Sequence, residues 1–388
     1  MTREIADAGS SVSQERLIDT VRYLASDELE GRASGTEGSR KARAYIAEAF
    51  RKAGLGPAGS DGYLQKIRTG VGTNIIGRLD GADPPLGEEV VIVSAHYDHL
   101  GRSGDKIFPG ADDNASGVAI MLEVARALQG LRSPLGRSIL FIAFDSEEPP
   151  YFMTAAMGSK FFVNHPTVPI HRIALMIGTD LLGTDPWPGW EGQLFVMGEE
   201  KCPVATSVLD AAPDVEGLAI RRLGIHMVEQ FPIWGRHPFS DYAPFRDREI
   251  PFLFFTCGRP SFYHSPGDTA DRLDYEKMSR IARFIFSTTV LASRTAESFR
   301  FERDGENLLS GAEVIGEGLE FVLGSKSPSK VFPGYTRLAW IALKWWRPKV
   351  RKTLAKLRNG GSIGPGEIRV LERASLALQS LTVKLLRR

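Results

Sequence analysis

The feature of this sequence that most restricts its fold is a series of short apolar runs separated by helical stretches. Five runs rich in valine, isoleucine and phenylalanine are predicted to be strands, at residues 90–94, 138–144, 173–177, 194–197 and 250–255. They are apolar at nearly every position, which is typical of strands covered on both faces. Helical patterns lie between them, notably at residues 115–128 and 275–291. Strands that alternate with helices favour an α/β sandwich with a largely parallel central sheet.

Further helices are predicted at both ends of this alternating region. They span residues 13–24, 38–53, 335–357 and 367–386. The last two follow residues 324–334, whose glycine, serine and proline content is typical of a linker. We therefore expect a main domain of residues 1–324, which includes the N-terminal helices, and a basic helical C-terminal extension of residues 325–388.

The near-neutral charge of the chain combines two oppositely charged parts. The 388 residues include 48 Lys and Arg and 47 Asp and Glu, for a formal net charge of +1. Fifteen of the bases but only two of the acids lie in residues 325–388, so this segment carries about +13 and residues 1–324 carry about −12. The acidic balance excludes a nucleic-acid-binding role for the main domain.

The basic extension combines its charges with aromatic residues, most densely at residues 340–349. Helices of this kind can pack on the acidic main domain, pack on a second subunit or dock on an anionic surface. Packing on protein is the favoured interpretation, because amphipathic helices mostly bury their apolar face against other protein elements.

Cysteine usage and the apolar runs bear on the cellular compartment. Only Cys202 and Cys257 occur, which excludes a disulfide scaffold and a Cys-x-x-Cys zinc site. The first residues lack the basic and apolar segments of a secretory signal peptide, and no run approaches the roughly 18 apolar residues of a membrane-spanning helix. We expect a cytoplasmic protein.

Carboxylates and imidazoles follow four of the predicted strands, where open α/β sheets usually bind ligands. An acidic, glycine-rich loop also opens the helix near residue 115. The residues in question are His96, Asp98, His99, Asp112, Asp113, Asp145, Glu147, Glu148, Asp180, Tyr263, His264 and Asp268. Imidazoles and carboxylates without thiolates suit zinc or a similar divalent ion. The number of acids favours two ions that share a bridging carboxylate.

Each of these elements alone has a structural alternative. A His-x-Asp sequence is more often an ordinary loop than a ligand pair, and the Asp112-Asp113 pair can cap a helix. The Glu147-Glu148 pair can be solvated loop charge, and His264 can be a core histidine. The argument for a site rests on their joint placement after successive strands.

Taken together, these motifs resemble the co-catalytic di-zinc aminopeptidases. That family includes bacterial leucyl aminopeptidases, aminopeptidase Y, glutamate carboxypeptidase and the glutaminyl cyclase branch. His-x-Asp, Gly-Ala-Asp-Asp-Asn-Ala-Ser-Gly, Glu-Glu, a following Asp and Tyr-His-x-x-x-Asp-Thr occur in the family's order. The resemblance covers about residues 15–295 and includes Tyr-Leu-Ala-Ser-Asp-Glu-Leu-Glu-Gly-Arg at residues 23–32. It implies a three-layer α/β/α sandwich with a mixed, largely parallel sheet.

The resemblance also implies a set of metal ligands. The cofactor would be two Zn²⁺, with other divalent metals as alternatives. Asp113 would bridge both ions. His96 and Asp180 would complete one site, and Glu148 with His264 would complete the other.

Three further residues take catalytic or positioning roles by the same resemblance. Glu147 would be the general base that deprotonates the metal-bridging water and later protonates the leaving amine. Asp98 would accept the N–H of His96 and fix its tautomer. Tyr263 would donate a hydrogen bond to the developing oxyanion.

The function implied is hydrolysis of peptide bonds, foremost as an aminopeptidase acting on a peptide or aminoacyl substrate. One alternative keeps the fold and changes the reaction, to amide hydrolysis or a glutaminyl cyclase-like cyclisation. A more distant alternative is a non-catalytic, receptor-like binding domain.

Some details depart from the family pattern. Residues 149–157 form an insertion after the Glu-Glu pair and are expected to shape the substrate pocket. Tyr242 stands where relatives often have histidine, and is either an oxyanion or pocket residue or an ordinary packed aromatic. The other histidines match no ligand position and are expected to be structural or on the surface; they are His99, His165, His171, His226 and His237.

Overall fold

A computed structural model of the chain describes residues 2–68, 70–84, 86–231 and 235–382. Its strands are β1 (Gly56–Pro57), β2 (Leu64–Lys66), β3 (Thr73–Leu79), β4 (Val90–His96), β5 (Gly101–Ser103), β6 (Lys106–Phe108), β7 (Ser138–Phe144), β8 (Ile173–Thr179), β9 (Gln193–Met197), β10 (Ala219–Arg222), β11 (Gln230–Phe231), β12 (Gly235–Arg236) and β13 (Phe252–Thr256). Its helices are α1 (Thr2–Gly9), α2 (Gln14–Leu24), α3 (Glu37–Lys52), α4 (Gly117–Leu128), α5 (Gly158–Asn164), α6 (Pro203–Ala211), α7 (Ile225–Val228), α8 (Ala243–Arg246), α9 (Tyr275–Arg294), α10 (Leu308–Gly324), α11 (Pro328–Val331), α12 (Arg337–Arg358) and α13 (Pro365–Gln379). A 3-10 helix at Asp27–Arg32 follows α2, and a π-helical turn at Ala111–Ser116 precedes α4.

The central sheet is mixed and mostly parallel. Among the described residues it contains nine strands, in the order β1-β3-β7-β4-β8-β13-β9-β10 with β2 paired to β3. The strands β7, β4, β8 and β13 run parallel to one another. Antiparallel pairs flank them, β3 with β7 and β9 with β13. The predicted three-layer sandwich with a largely parallel sheet is confirmed, and the carboxyl ends of four strands meet at one edge.

The central strands send alternate side chains into two separate cores. All seven residues of β4 are buried. Val91 and Val93 join the core that contains α2, α4 and α9. Val90 and Ile92 join the core that contains α10, α12 and α13. Runs that are apolar at every position therefore form strands here because helices cover both faces of the sheet.

The C-terminal helices form a small bundle with α10. The helices α12 and α13 pack against α10 and against each other, and they bury Leu343, Val350 and Leu371 in the second core. The helix α13 ends at Gln379, before the predicted end at residue 386; residues 383–388 lie outside the described part of the chain. The domain boundary after residue 324 stays a prediction, and α10 on its N-terminal side shares the bundle.

None of the described helices is long and apolar enough to cross a membrane. The cytoplasmic location stays a prediction.

Candidate active site

The candidate site lies at the sheet edge where the parallel strands end. His96 is the last residue of β4, and Asp180 follows β8 directly. Glu147 and Glu148 lie in the loop after β7, and His264 lies in the loop after β13. These neighbouring strand ends bring the five side chains together although they are far apart in the sequence.

A first group of donors gathers around His96. Its Nε2 lies 3.3 Å from Oδ1 of Asp113 and 3.4 Å from Oδ1 of Asp180. The other oxygen of Asp180 accepts a hydrogen bond from the Ser240 hydroxyl at 3.0 Å, which fixes the orientation of this carboxylate.

A second group gathers around the other oxygen of Asp113. Nε2 of His264 lies 3.1 Å from Oδ2 of Asp113 and 3.2 Å from Oε1 of Glu148. His99 joins this group, because its Nδ1 lies 3.0 Å from Oε1 of Glu148 and 3.8 Å from Oδ2 of Asp113. Asp113 thus presents one oxygen to each group.

The facing atoms of both groups are buried and have no hydrogen-bond partner in the described part of the chain. They are Nε2 of His96, both ring nitrogens of His99, Oδ2 of Asp113, Oε1 of Glu148, Oδ1 of Asp180 and Nε2 of His264. Buried polar atoms normally have partners, and unsatisfied ones cost free energy. Nitrogen and oxygen atoms about 3 Å apart, all converging, are the arrangement that a pair of divalent cations satisfies. The donor set therefore fits two such ions.

The electrostatics of the site point the same way. Burial raises the pKa of Glu147 well above its ordinary value, and the charges of Glu148 and Asp241 raise it further. Burial lowers the pKa of His96, but the carboxylates of Glu147 and Asp180 outweigh this effect and raise it well above its ordinary value. The protein alone therefore leaves an excess of negative charge in a buried space, which cations compensate.

Hydrogen bonds hold the Asp112-Asp113 loop so that only its second aspartate faces the site. The carboxylate of Asp112 accepts hydrogen bonds from the Gly183 N–H at 2.6 Å and the Thr184 hydroxyl at 2.5 Å, away from the donor groups. The carboxylate of Asp268 accepts from the N–H groups of Asp112 and Asp113, at 2.8 and 3.1 Å. Asp268 therefore fixes the backbone that carries Asp113.

The predicted contact between Asp98 and His96 is wrong in its acceptor atom. Nδ1 of His96 donates to the backbone carbonyl of Asp98 at 3.2 Å, whereas the carboxylate Oδ1 lies 3.8 Å away. The carboxylate instead accepts from the N–H groups of Glu147 at 3.0 Å and Glu148 at 3.1 Å. The carbonyl fixes the tautomer of His96, so that its Nε2 lone pair faces the donor group. The carboxylate orients the two consecutive glutamates.

Residues 74–289 match Peptidase family M28. The chain belongs to this family. It is 30% identical over 287 residues to the uncharacterized protein YfbL of Escherichia coli, which covers 69% of this chain and 85% of that protein. It is 29% identical over 205 residues to the aminopeptidase YwaD of Bacillus subtilis, covering 50% of this chain and 38% of YwaD. A glutaminyl-peptide cyclotransferase of Drosophila melanogaster is 28% identical over 230 residues, 55% of this chain and 62% of that protein.

Solved structures show the same fold. The LapA aminopeptidase of Legionella pneumophila superimposes with a TM-score of 0.60 at 16% identity, over 76% of each chain. The zinc aminopeptidase BSAP of Bacillus subtilis superimposes with a TM-score of 0.55 at 18% identity, over 76% of this chain and 99% of that chain. Family membership confirms the prediction of a zinc-dependent metallopeptidase, and the two donor groups agree with the predicted pair of zinc ions. The assignment of each residue to an ion stays a proposal.

Two buried residues of the site were not assigned by the sequence. His99 was expected to be structural or on the surface; it is 1% exposed and lies among the donors, so the surface alternative is wrong. Asp241 is buried with Oδ1 unpartnered, and its burial raises its pKa to about 6. His99 follows His96 by three residues, and Asp241 follows Ser240, whose hydroxyl binds Asp180, but neither position in the sequence shows which way its side chain turns.

The two tyrosines singled out by the sequence have different surroundings. The ring of Tyr263 stacks on His264 at a centroid distance of 3.8 Å. Burial raises the pKa of Tyr263 well above its ordinary value, so its phenol stays protonated and able to donate. Tyr242 instead donates to Oε1 of Glu229 at 2.6 Å and stacks on Phe252, as expected for a packed aromatic.

The inserted residues 149–157 lie directly beside the site. The N–H of Tyr151 donates to the carbonyl of Glu148 at 3.0 Å, and the ring of Phe152 stacks on His237. A role of this segment in shaping the substrate pocket stays a prediction.

A conservative change at Asp98 is expected to lower activity by about 10- to 100-fold, the range seen when groups that orient metal ligands are removed. In Asp98→Asn one of the two oxygens becomes an NH₂ group, which would face the main-chain N–H of Glu147 or of Glu148, so one of these two residues loses the hydrogen bond that orients it. The checks are kcat/KM on an aminoacyl amide and zinc affinity by chelator competition. Asp105→Asn, at an exposed turn, is the matched control; equal behaviour of the two variants would contradict this role.

Proposed function

We propose that this chain is a two-zinc aminopeptidase, which hydrolyses the peptide bond after the N-terminal residue of its substrate. The observation that carries the proposal is the placement of Asp113 between two groups of unpartnered buried donors, with one oxygen towards each. Glu147 lies in the same space, and its main chain is held by Asp98.

The residues that would hold the two ions divide according to the oxygens of Asp113. His96 and Asp180 share the Oδ1 side, whereas Glu148 and His264 share the Oδ2 side. When bound, two zinc ions would polarise the scissile carbonyl and lower the pKa of water towards neutrality. His99 would orient Glu148 or add a nitrogen donor on the second side.

The protein's own groups would carry the proton transfers. Glu147 takes a proton from the attacking water and gives it to the leaving amine nitrogen, which restores the carboxylate. The loop after β7 lets Glu147 and Glu148 diverge, so that one serves the reaction and its neighbour serves as a ligand. The Tyr263 phenol donates to the oxygen on which charge develops.

Removal of metal is expected to abolish turnover reversibly and to lower the unfolding temperature. Without cations the facing carboxylates repel, and ligands that bind only the folded state stabilise it. The test is metal analysis followed by chelation and add-back of zinc, cobalt or manganese, with activity and thermal unfolding both measured. Unchanged activity and unchanged unfolding after complete metal removal would contradict the proposal.

A second candidate reaction is favoured by the similarity to a glutaminyl-peptide cyclotransferase over 55% of the chain. The same add-back assay separates the reactions when it uses aminoacyl amides, N-terminal glutaminyl peptides and N-acyl substrates. Cleavage of aminoacyl amides supports the aminopeptidase. Cyclisation of the N-terminal glutamine with release of ammonia, and with the peptide bond intact, supports the cyclase. Turnover of none of them would favour the non-catalytic alternative, against which the presence of Glu147 and of both donor groups argues.

A further inference from the structure

The helix α12 exposes large apolar side chains on its first three turns. Leu338, Ile341 and Trp345 are 79%, 56% and 54% exposed. Their spacing of three and four residues places them along one side of the helix, and we call these three residues the α12 stripe. The other exposed large apolar side chains of the described residues are Val71 and Leu309, at 52% and 42%.

The stripe is held in place by the packing of the opposite side of the helix. Leu343 and Val350 are fully buried in the core shared with α10 and α13. The side chain of Thr336 accepts a hydrogen bond from the Ala339 N–H and caps the helix. The apolar side chains therefore project from a preformed helix, and binding through them does not require the helix to fold.

The bases of α12 differ in whether they pair with an acid. Four of them bind acids of the bundle: Arg347 and Arg351 pair with Glu320, Lys356 pairs with Glu367, and Arg358 pairs with Glu313. Arg337, Lys344 and Lys352 are exposed and have no carboxylate within ion-pair distance among the described residues. By helical position these three lie beside or in line with the stripe. The ammonium of Lys349 packs over the Trp345 ring.

We propose that the α12 stripe and its flanking bases dock on a lipid bilayer that carries anionic headgroups. The three side chains would enter the interfacial region, where tryptophan is favoured, while the bases contact lipid phosphates and carboxylates. The helix contains Pro348 and eight bases, which are unfavourable inside a bilayer, so it would lie along the membrane surface and not cross it. The acidic main domain would face away from the lipid, because its net charge of about −12 is repelled by the same surface.

The charge pattern favours lipid over a second copy of the chain. A symmetric dimer places the same patch on both subunits, so the stripes would meet only with Arg337, Lys344 and Lys352 of one subunit brought close to the same set of bases on the other. The described part of α12 contains no acid that would offset this repulsion. An anionic bilayer supplies both the apolar region and the opposite charge.

The test is co-sedimentation of the full chain with vesicles of phosphatidylcholine alone or mixed with phosphatidylserine, at low and high salt. Binding is expected only with phosphatidylserine and is expected to weaken with salt, since exposed charges are screened. Two triple variants test the two components: L338Q/I341Q/W345Q removes the stripe, and R337Q/K344Q/K352Q removes the bases. Each should bind at least about tenfold more weakly.

Matched controls are Leu309→Gln, an exposed apolar residue of α10, and K52Q/K66Q/K106Q, three exposed bases elsewhere. Both should bind as the unchanged chain does, and all variants should keep their far-UV spectrum. Equal binding to neutral vesicles, no binding to either kind of vesicle, or full binding retained by L338Q/I341Q/W345Q or by R337Q/K344Q/K352Q would overturn the proposal. A dimer that L338Q/I341Q/W345Q abolishes, in the absence of vesicle binding, would also overturn it.

Discussion

Replacement of Glu147 by glutamine is expected to lower the turnover of an aminoacyl amide by about 10²–10⁴-fold, the usual contribution of a general base. Glutamine has nearly the same shape, and the main-chain N–H of residue 147 can still donate to Asp98. The amide side chain, however, cannot accept the proton of the attacking water. Because Glu147 has no place in either group of facing donors, the metal content should stay near that of the unchanged protein. Loss of kcat with retained metal is the signature of a base rather than a ligand.

The measurement pairs steady-state kinetics with metal analysis of the same preparation. Glu88→Gln is the matched control, because Glu88 is exposed and lies just before the first residue of β4, whereas the site lies at the other end of that strand. A Glu147→Gln enzyme within tenfold of the control would refute the assignment of the base. A variant that loses metal together with activity would place Glu147 among the ligands instead.

The sequence predicted the central strands well because helices cover both of their faces. Every residue of β4 and β7 is buried, so the only pattern available to them is a continuous apolar run. The strands β3 and β10 were not predicted. Arg78 near the end of β3 is half-buried, and all four residues of edge strand β10 are half-buried, so neither shows a continuous apolar run.

The membership of the site was more predictable than its internal contacts. Parallel strands all end at the same edge of the sheet, so the motifs that follow them must meet there whatever their turns do. Which atom of Asp98 reaches His96, and that His99 turns inward, depend on side-chain directions within a tight turn. The spacing His-x-Asp-His carries no signal for those directions.

The N-terminal segment was also predicted only in part. Residues 23–32 resemble the family's N-terminal stretch, but the sequence does not show what they do. The structure supplies a role. Gly31 has φ +72°, and a Cβ at this position would lie 2.4 Å from the carbonyl oxygen of Phe108, so glycine is required for the close approach of this turn to β6. That approach carries the next residue, Arg32, into the interior.

Arg32 is completely buried and binds the main chain of three separate segments. Its guanidinium donates to the carbonyl of Leu24 at 2.5 Å, Tyr97 at 2.8 Å, Pro109 at 2.6 Å and Gly110 at 2.8 Å. Burial lowers its pKa to about 10, so it stays charged at neutral pH. Tyr97 precedes Asp98, and Gly110 precedes the loop of Asp113. Arg32 therefore joins the end of α2 to two of the loops that carry the site.

Replacement of Arg32 by methionine is expected to lower the free energy of unfolding by about 3–5 kcal/mol, because four buried carbonyl oxygens lose their donors at about 1–3 kcal/mol each and only part of that loss is relieved by relaxation. Activity should fall as well, since the two site loops lose their common anchor. Arg32→Lys should recover only part of the stability, because an ammonium has three donors and lacks the planar fork that reaches four acceptors.

Urea unfolding followed by circular dichroism measures the effect, and Arg40→Met supplies the matched control. Arg40 is about half exposed; it pairs with Glu37 on its own helix and donates to the exposed carbonyl of Gly35 at 3.2 Å, so its loss should change the free energy of unfolding by about 0.5 kcal/mol or less. An Arg32→Met protein with the same unfolding midpoint as this control would show that the hydrogen bonds of Arg32 contribute nothing to stability. If Arg32→Met yields no folded protein, Arg32→Lys decides the matter, because an ammonium that keeps only some of the hydrogen bonds should lower both the unfolding midpoint and the activity relative to the unchanged chain; a lysine variant equal to the unchanged chain in both would contradict the prediction.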